Sequence, residues 1–379
     1  MAGIYIHIPF CKQACYYCDF HFSTSLKNKN GMLNAIKAEL LMRKLEFESE
    51  IVESIYLGGG TPSILTIDEL RLLIATIYEN YNVSKNAEIT LEANPDDLTA
   101  DKIKALSHLP INRLSIGIQS FFEDDLKFMN RAHNAQESKK CLTEAIKYFD
   151  NITIDLIYGV PNMTNEKWLE NLKIAFEYNV PHISSYALTV EEKTALHNFI
   201  LKGKVSPLDE NVTFEHFNIL VEETEKQGFV QYEISNFGKP NYFSKHNTSY
   251  WLGEKYIGIG PSAHSFNRME RAWNISNNAK YMEAIEKNKL PLEVEKLTLN
   301  NNFNECIMTG LRTIWGISYQ KIETEFGACY LQQLKENAQP FIEKGLLEVQ
   351  MHSFSSSTLV TTKKGKFLAD GIASDLFII

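Results

Sequence analysis

Ile4-Tyr-Ile-His-Ile-Pro-Phe-Cys11-Lys-Gln-Ala-Cys15-Tyr-Tyr-Cys18 runs from a strand-like segment straight into three cysteines spaced C-x3-C-x2-C. Thiolates packed this closely can bind three irons of a [4Fe–4S] cluster. No fourth cysteine completes the run, so one iron would stay open to a substrate or cofactor. Electron carriers close all four positions. Zinc is the rival reading, with a distant His or Cys as fourth ligand, and three unrelated buried thiols are another. Structural zinc sites usually pair two C-x2-C knuckles, and the remaining cysteines, Cys141, Cys306 and Cys329, are scattered singly. Spacing therefore favours the cluster.

The surrounding chain is of ordinary globular composition. It has 379 residues, 44% hydrophobic and 22% charged, enough for a large core and two or three domains. Its net charge of -9 disfavours nucleic acid as a partner, because phosphate binding needs a basic surface. The same charge gives no pull toward anionic lipid. The first residues enter a strand without a charged and then apolar leader, and no apolar run is long enough to span a bilayer. Unpaired cysteines fit a reducing compartment. These features predict a cytoplasmic protein, peripheral at a membrane only through a partner.

Short apolar runs alternate with amphipathic stretches through the first half. Strands are predicted at Ile4–Ile8, Ser54–Leu57, Glu88–Glu92, Arg113–Ile118, Thr153–Ile157 and Ile183–Leu188. Thr66-Ile-Asp-Glu69 reads as a capping box, with Ile67, Leu70, Leu73, Ile74 and Ile77 at helical spacing. Thr164 caps another helix carrying Trp168, Leu172 and Phe176. Six βα units about 30 residues apart predict an α/β fold with a parallel sheet, too few for a full eight-fold barrel. A partial barrel and an open doubly wound sheet both fit. Residues 206–295 are less regular, with aromatic and glycine-rich turns. Residues 296–379 predict a helical, winged-helix-like module: a helix capped near Ser318, another over Tyr330–Ile342, strands at Leu346–Val349 and Thr358–Thr362 around a serine-rich turn (Ser353–Ser357), and a last helix from Gly365. Its few basic residues favour a packing or docking role over DNA binding.

Polar residues collect at the strand ends. Gly58-Gly-Gly-Thr-Pro62 follows the second strand, and glycines there let backbone approach a ligand closely. Glu92 ends the third strand and Gln119 the fourth; Arg131 lies twelve residues further on. Asp155 sits inside an apolar run, where a carboxylate is costly unless paired. An ion pair with Arg131 and a role in a site both remain open for it. Parallel strands bring their ends to one face, so these groups and the cysteine loop converge.

The cysteine triplet and the Gly-Gly-Gly-Thr-Pro run resemble those of the radical S-adenosylmethionine (SAM) superfamily. Tyr5–Cys11, Gly58–Pro62, Leu114-Ser-Ile-Gly-Ile-Gln-Ser120, Asp155-Leu-Ile-Tyr-Gly-Val-Pro161 and Gly258-Ile-Gly-Pro-Ser-Ala-His264 together resemble the oxygen-independent coproporphyrinogen III oxidase family over most of the first 270 residues. The resemblance implies a partial (β/α)6 barrel over 1–205, with residues 206–295 extending it. It implies Cys11, Cys15 and Cys18 as ligands of a [4Fe–4S] cluster whose open iron takes the methionine group of SAM. It implies Gly59, Gly60 and Thr61 at the methionine amino group. Tyr5, Glu92, Gln119, Arg131 and Asp155 would line the pocket, and Ala187 would lie against the adenine.

The oxidases resemble C-x3-C-x2-C-x-C, and here the last position is Phe20. Their amino-terminal extension is also missing before Tyr5. Both departures are similar to the HemW-type branch, haem chaperones that deliver haem to cytochromes and haem enzymes and carry an H-N-x-x-Y-W signature. This chain has His246-Asn-Thr-Ser-Tyr250-Trp251. The resemblance implies haem as cargo, with His246 as axial ligand and Tyr250 and Trp251 stacking on the macrocycle; Cys306, Cys329, His133 and His264 are rival ligands. It also implies an electron donor such as flavodoxin or ferredoxin. No C-x-x-C-H run for covalent haem is present. The alternatives are decarboxylation of coproporphyrinogen III to protoporphyrinogen IX, haem degradation by radical methyl transfer, and a zinc-bound structural module.

Overall fold

The computed structural model describes residues 2–353 and 356–378. Its first six strands are β1 (Ala2–Ile8), β2 (Val52–Gly59), β3 (Val83–Ala93), β4 (Arg113–Gln119), β5 (Ile152–Tyr158) and β6 (His182–Ala187). They lie side by side in chain order, all parallel, each joined to the next through helix. All six predicted strands are present, and each begins within a few residues of its expected place.

The third quarter is more ordered than its sequence suggested. It holds a helix, Glu210–Lys226, then β7 (Val230–Glu233), β8 (Asn236–Gly238), β9 (Lys255–Ile259), β10 (His264–Phe266), β11 (Glu270–Asn274) and β12 (Leu292–Lys296). β9 pairs parallel to β1 and adds a seventh parallel strand. Its partner lies some 250 positions away, so no local pattern announces it. The sheet order is β12-β11-β10-β9-β1-β2-β3-β4-β5-β6-β8-β7, with antiparallel strands at both edges. The parallel strands therefore do not close on themselves.

One face of this sheet is apolar. Ile4, Ile6, Ile8, Ile55, Leu57, Ile89 and Leu91 are fully buried, and helices cover them. The helix Ile67–Asn80 starts at the capping box formed by Thr66 and Glu69 and turns Leu70, Leu73, Ile74 and Ile77 inward. Each such side chain contributes about 2 kcal/mol by leaving water. Thr164 caps Asn165–Glu177, which buries Trp168 and Leu172, while Phe176 packs only partly buried. The opposite face carries Tyr5, His7, Ser54, Tyr56, Glu88, Glu92, Arg113, Ser115, Asp155 and Ser184. Successive residues of a strand point to opposite faces, so these all share one side. Parallel strands covered on both faces are normally apolar throughout. A polar inner face is therefore unusual, and it encloses a cavity.

The last part forms its own small core around Phe303, Ile307, Leu311, Ile322, Leu334, Leu347, Leu359 and Ile372. Helices Leu299–Leu311, Tyr319–Phe326 and Ala328–Glu343 pack on β13 (Ile317–Ser318), β14 (Leu347–Ser353) and β15 (Ser356–Thr361), ordered β13-β15-β14. Ser318 caps the second helix as expected. β13 adds a third strand to the two anticipated. The final helix, Ala369–Asp375, follows a short 3-10 turn that begins after Gly365. Of the expected serine-rich turn, Phe354 and Ser355 lie outside the described residues, while Ser353 ends β14 and Ser356 and Ser357 begin β15. Among those described, no helix is long and apolar enough to cross a membrane.

Candidate functional site

A cavity of about 640 Å³ opens on the inner face at the carboxyl ends of the parallel strands. Cys11, Cys15 and Cys18 line it from the loop after β1. All three thiols are free and half-buried. Burial pushes Cys11 up to about 11 and Cys18 up to about 12. Donors work against that cost. The Thr61 hydroxyl donates to Cys11 Sγ at 3.4 Å, and the Arg131 guanidinium to Cys15 Sγ at 3.4 Å. Such donors stabilise anionic sulfur.

Among the described residues, no three His, Cys, Asp or Glu side chains are arranged to hold a single metal ion. Zinc ligands must meet at one point. In a cubane cluster, iron and sulfide atoms stand between the thiolates, so its cysteines need not converge. The donor set, three unpaired thiols flanked by a cation and a hydroxyl, fits such a cluster.

The glycine run reaches the cysteine loop by a close approach. Gly60 N–H donates to the Ile8 carbonyl at 2.9 Å and Thr61 N–H to the Phe10 carbonyl at 2.7 Å. Gly59 has φ +103°. A Cβ there would stand 2.5 Å from the His7 ring. Gly59→Ala is expected to cost roughly 2–3 kcal/mol through strain and this clash, read as a drop in thermal midpoint. An unchanged midpoint would show that β1 can move aside.

Glu92 accepts from Tyr56 Oη at 2.7 Å and from Gly59 N–H at 3.2 Å. Burial nevertheless pushes it up to about 7, with Asp155 adding to the rise. Asp155 is also pushed up to about 7 by burial, although Arg131 and Arg113 pull it down. Among the described residues Asp155 forms no salt bridge. Arg131 instead spends its guanidinium on Asn94 Oδ1 at 2.7 Å, on the Gly117 carbonyl at 3.0 Å and on the cysteine loop. The ion-pair reading of Asp155 is therefore not what the geometry supports, and its carboxyl faces the cavity.

Gln119 ends β4 with φ +66°, uncommon for a side-chain-bearing residue and common where function stores strain. It makes room for itself through Gly117, where a Cβ would lie 2.9 Å from the Gln119 amide and 3.1 Å from Arg131.

Gly59, Gly60, Thr61, Glu92, Gln119, Arg131, Asp155 and Ala187 all line this one cavity. Tyr5 does not. Its hydroxyl bonds His7 Nδ1 at 3.2 Å and its ring packs on Tyr56, which stands in front of it. Sequence reasoning missed Tyr56 and Arg113 on neighbouring strands and Asn94 just after β3. It also missed Arg312, Lys366, Phe367 and Asp370, which the last module brings to the cavity from far along the chain. Only the alternation of polar residues along β2 to β4 signalled the first group. Phe20, the departure from C-x-C, is 68% exposed at the rim.

The H-N-x-x-Y-W segment forms the helix Lys245–Trp251, whose start is fixed by Glu88 accepting from the N–H groups of Lys245 and His246, both at 3.1 Å. His246 is buried and lines neither this cavity nor the one beside it. Its Nδ1 bonds Ser54 Oγ at 2.8 Å and its Nε2 bonds Tyr250 Oη at 2.6 Å. Its ring stacks on Tyr56, and burial pulls it down to about 3. With both nitrogens bonded in the interior, the ring offers no lone pair to a metal. His133 is likewise buried, its Nε2 on the Ile118 carbonyl at 3.1 Å. His264 and Cys329 line neither cavity. Gly258 to His264 spans the end of β9, the turn after it and the start of β10, tied down by buried Arg43 on the Gly258 carbonyl and Glu39 on Gly260 N–H. Tyr250, Trp251 and Cys306 meet instead at a second cavity, of about 1000 Å³, against the last module. Arg312 lies between the two: it lines the first, stacks over Trp251 at 5.2 Å and binds Glu233 and Asp370.

Residues 5–175 match the radical SAM superfamily and residues 297–368 the HemN C-terminal domain. The chain is 32% identical over 376 residues to a haem chaperone HemW of Bacillus subtilis, covering 98% of each. It is 33% identical to a haem chaperone HemW of Lactococcus lactis, covering 90% of each. In structure it is similar to the coproporphyrinogen III oxidase HemN of Escherichia coli, with a TM-score of 0.84 over 99% of this chain and 90% of that one, at 22% identity. That last likeness concerns the fold.

Proposed function

The chain belongs to the HemW family of radical SAM proteins, and from that premise we propose that it is a haem chaperone, binding haem and passing it to cytochromes or haem enzymes. The end-to-end likeness to haem chaperones, module for module, carries this reading.

Cys11, Cys15 and Cys18 would hold the cluster, which in this superfamily supplies a single electron to the sulfonium of SAM. The chain's own groups do the rest. Acceptors at Gly59, Gly60 and Thr61 suit an ammonium. Glu92 and Asp155 offer carboxylates to a cationic ligand. Arg131 holds the cysteine loop to β4 and offers positive charge to a carboxylate. Ala187 leaves space for a flat base at the end of β6. A donor of the flavodoxin or ferredoxin kind would reduce the cluster.

Exposed Phe20, standing where the oxidases carry cysteine, supports the carrier over the enzyme. The test is anaerobic. Reconstituted protein is given SAM, reductant and coproporphyrinogen III, and in parallel haem and an apo-haem protein. The expected result is transfer of haem to the acceptor and no accumulation of protoporphyrin. Protoporphyrin formed over many turnovers would make this an oxidase and overturn the reading.

A further inference from the structure

Haem carriage requires a site for a flat, largely apolar dianion with an iron at its centre. The first cavity is committed to the cysteine loop and the carboxylates, and His246 is locked in the interior. The second cavity has what such a ligand needs. Its walls are aromatic, with Trp251, Tyr256 and Phe266 from the sheet edge and its helix facing Trp315, Phe326 and Phe377 from the last module. Aromatic walls bury a macrocycle well and stack on it.

Cys306 lines the same cavity from the helix Leu299–Leu311. It is unpaired and half-buried, packed beside the module's core. Its side chain is the only Cys or His among the described residues that line this space. A thiolate is an established kind of axial ligand for haem iron. Cations lie at hand for two carboxylates. Arg271 pairs with Glu305 at 2.5 Å and Arg268 with Glu254 at 2.9 Å, while Lys321 forms no salt bridge among the described residues. The Trp251 indole N–H is buried and has no acceptor.

We propose that this second cavity is the haem site, with Cys306 as axial ligand, Trp251 and Trp315 as stacking walls and Lys321 toward the carboxylates. The proposal rests on the haem-carrier reading above. It gives the H-N-x-x-Y-W segment a different part: His246 is a positioning residue. Its bond to Tyr250 Oη and its seat on Ser54 hold the helix so that Trp251 reaches the cavity.

The test titrates haemin into full-length, cluster-reconstituted protein and records the Soret band of the ferric and reduced carbonyl forms. Cys306→Ser is expected to move the Soret band and weaken binding about tenfold, as loss of a metal ligand does. Met308→Trp, which fills the cavity without touching iron ligation, is expected to weaken binding too. Both variants should keep the cluster absorption, which reports an intact fold. His246→Gln with its cluster intact is expected to keep the wild-type Soret position. An unchanged spectrum and affinity in both Cys306→Ser and Met308→Trp would overturn the assignment. So would a Soret band that His246→Gln shifts and Cys306→Ser does not. Wild-type protein that binds no haemin at all would instead overturn the carrier reading itself.

Discussion

A chain with serine at Cys11, Cys15 and Cys18 together is expected to fold and to take up no iron or sulfide on anaerobic reconstitution. The cysteine loop is half-buried and contributes little to the apolar core, which lies on the other face of the sheet. Serine keeps an acceptor for Thr61 and for Arg131, so those contacts survive in weaker form. The thermal midpoint of the cofactor-free chain should therefore change little. Cluster binding depends on soft thiolates, which serine does not replace. Cys141 is buried, Cys306 belongs to the last module and Cys329 is exposed, so none stands ready as a substitute. Iron and acid-labile sulfide analysis decides the matter. Iron retained by the triple variant would place the cluster elsewhere, and stoichiometric zinc in the wild type would revive the structural module. Haem delivery that survived loss of the cluster would separate the cargo from the radical machinery.

SAM affinity is expected to climb as pH rises from 6 to 7.5, and proton release should accompany binding. Glu92 and Asp155 share one buried face, and burial holds both near 7 because the charged form is poorly solvated there. The cofactor-free folded chain thus keeps protons that the unfolded chain has lost. Its stability from these groups is full below about pH 4 and falls as pH rises through about 7. A ligand bearing ammonium and sulfonium charge favours the ionised carboxylates and expels those protons. Each carboxyl then adds roughly five- to tenfold in affinity across that window. Glu92→Gln should remove one such contribution and flatten the profile. Calorimetry in buffers of different ionisation enthalpy measures the protons directly. A flat profile in the wild type would mean that the ligand's positive groups lie away from this pair.

The sequence alone determined the parallel sheet, because each of its first six strands is a local apolar run and several of the helices between them are capped. Thr66 and Thr164 mark helix starts through contacts three residues away, and such short-range chemistry is legible in one dimension. The cysteine triplet, the glycine run and the carboxylates at strand ends were legible for the same reason: parallel strands place their ends together whatever the details. Tertiary structure alone decided which polar groups face the cavity and which support it. Tyr5 and Tyr56 share β1 and β2 positions in register, yet only Tyr56 meets the space. His246 is close in sequence to Trp251, but a bond to Ser54, some 190 positions away, turns its ring inward. β9 finds β1 across some 250 positions, and Arg312 finds Glu233, Asp370 and Trp251 across tens of positions. The meeting of Cys306 with Trp251 depends on how the last module seats against the sheet edge. Periodicity and capping record a residue's neighbours within a turn or two, whereas these contacts are set by the packing of whole elements.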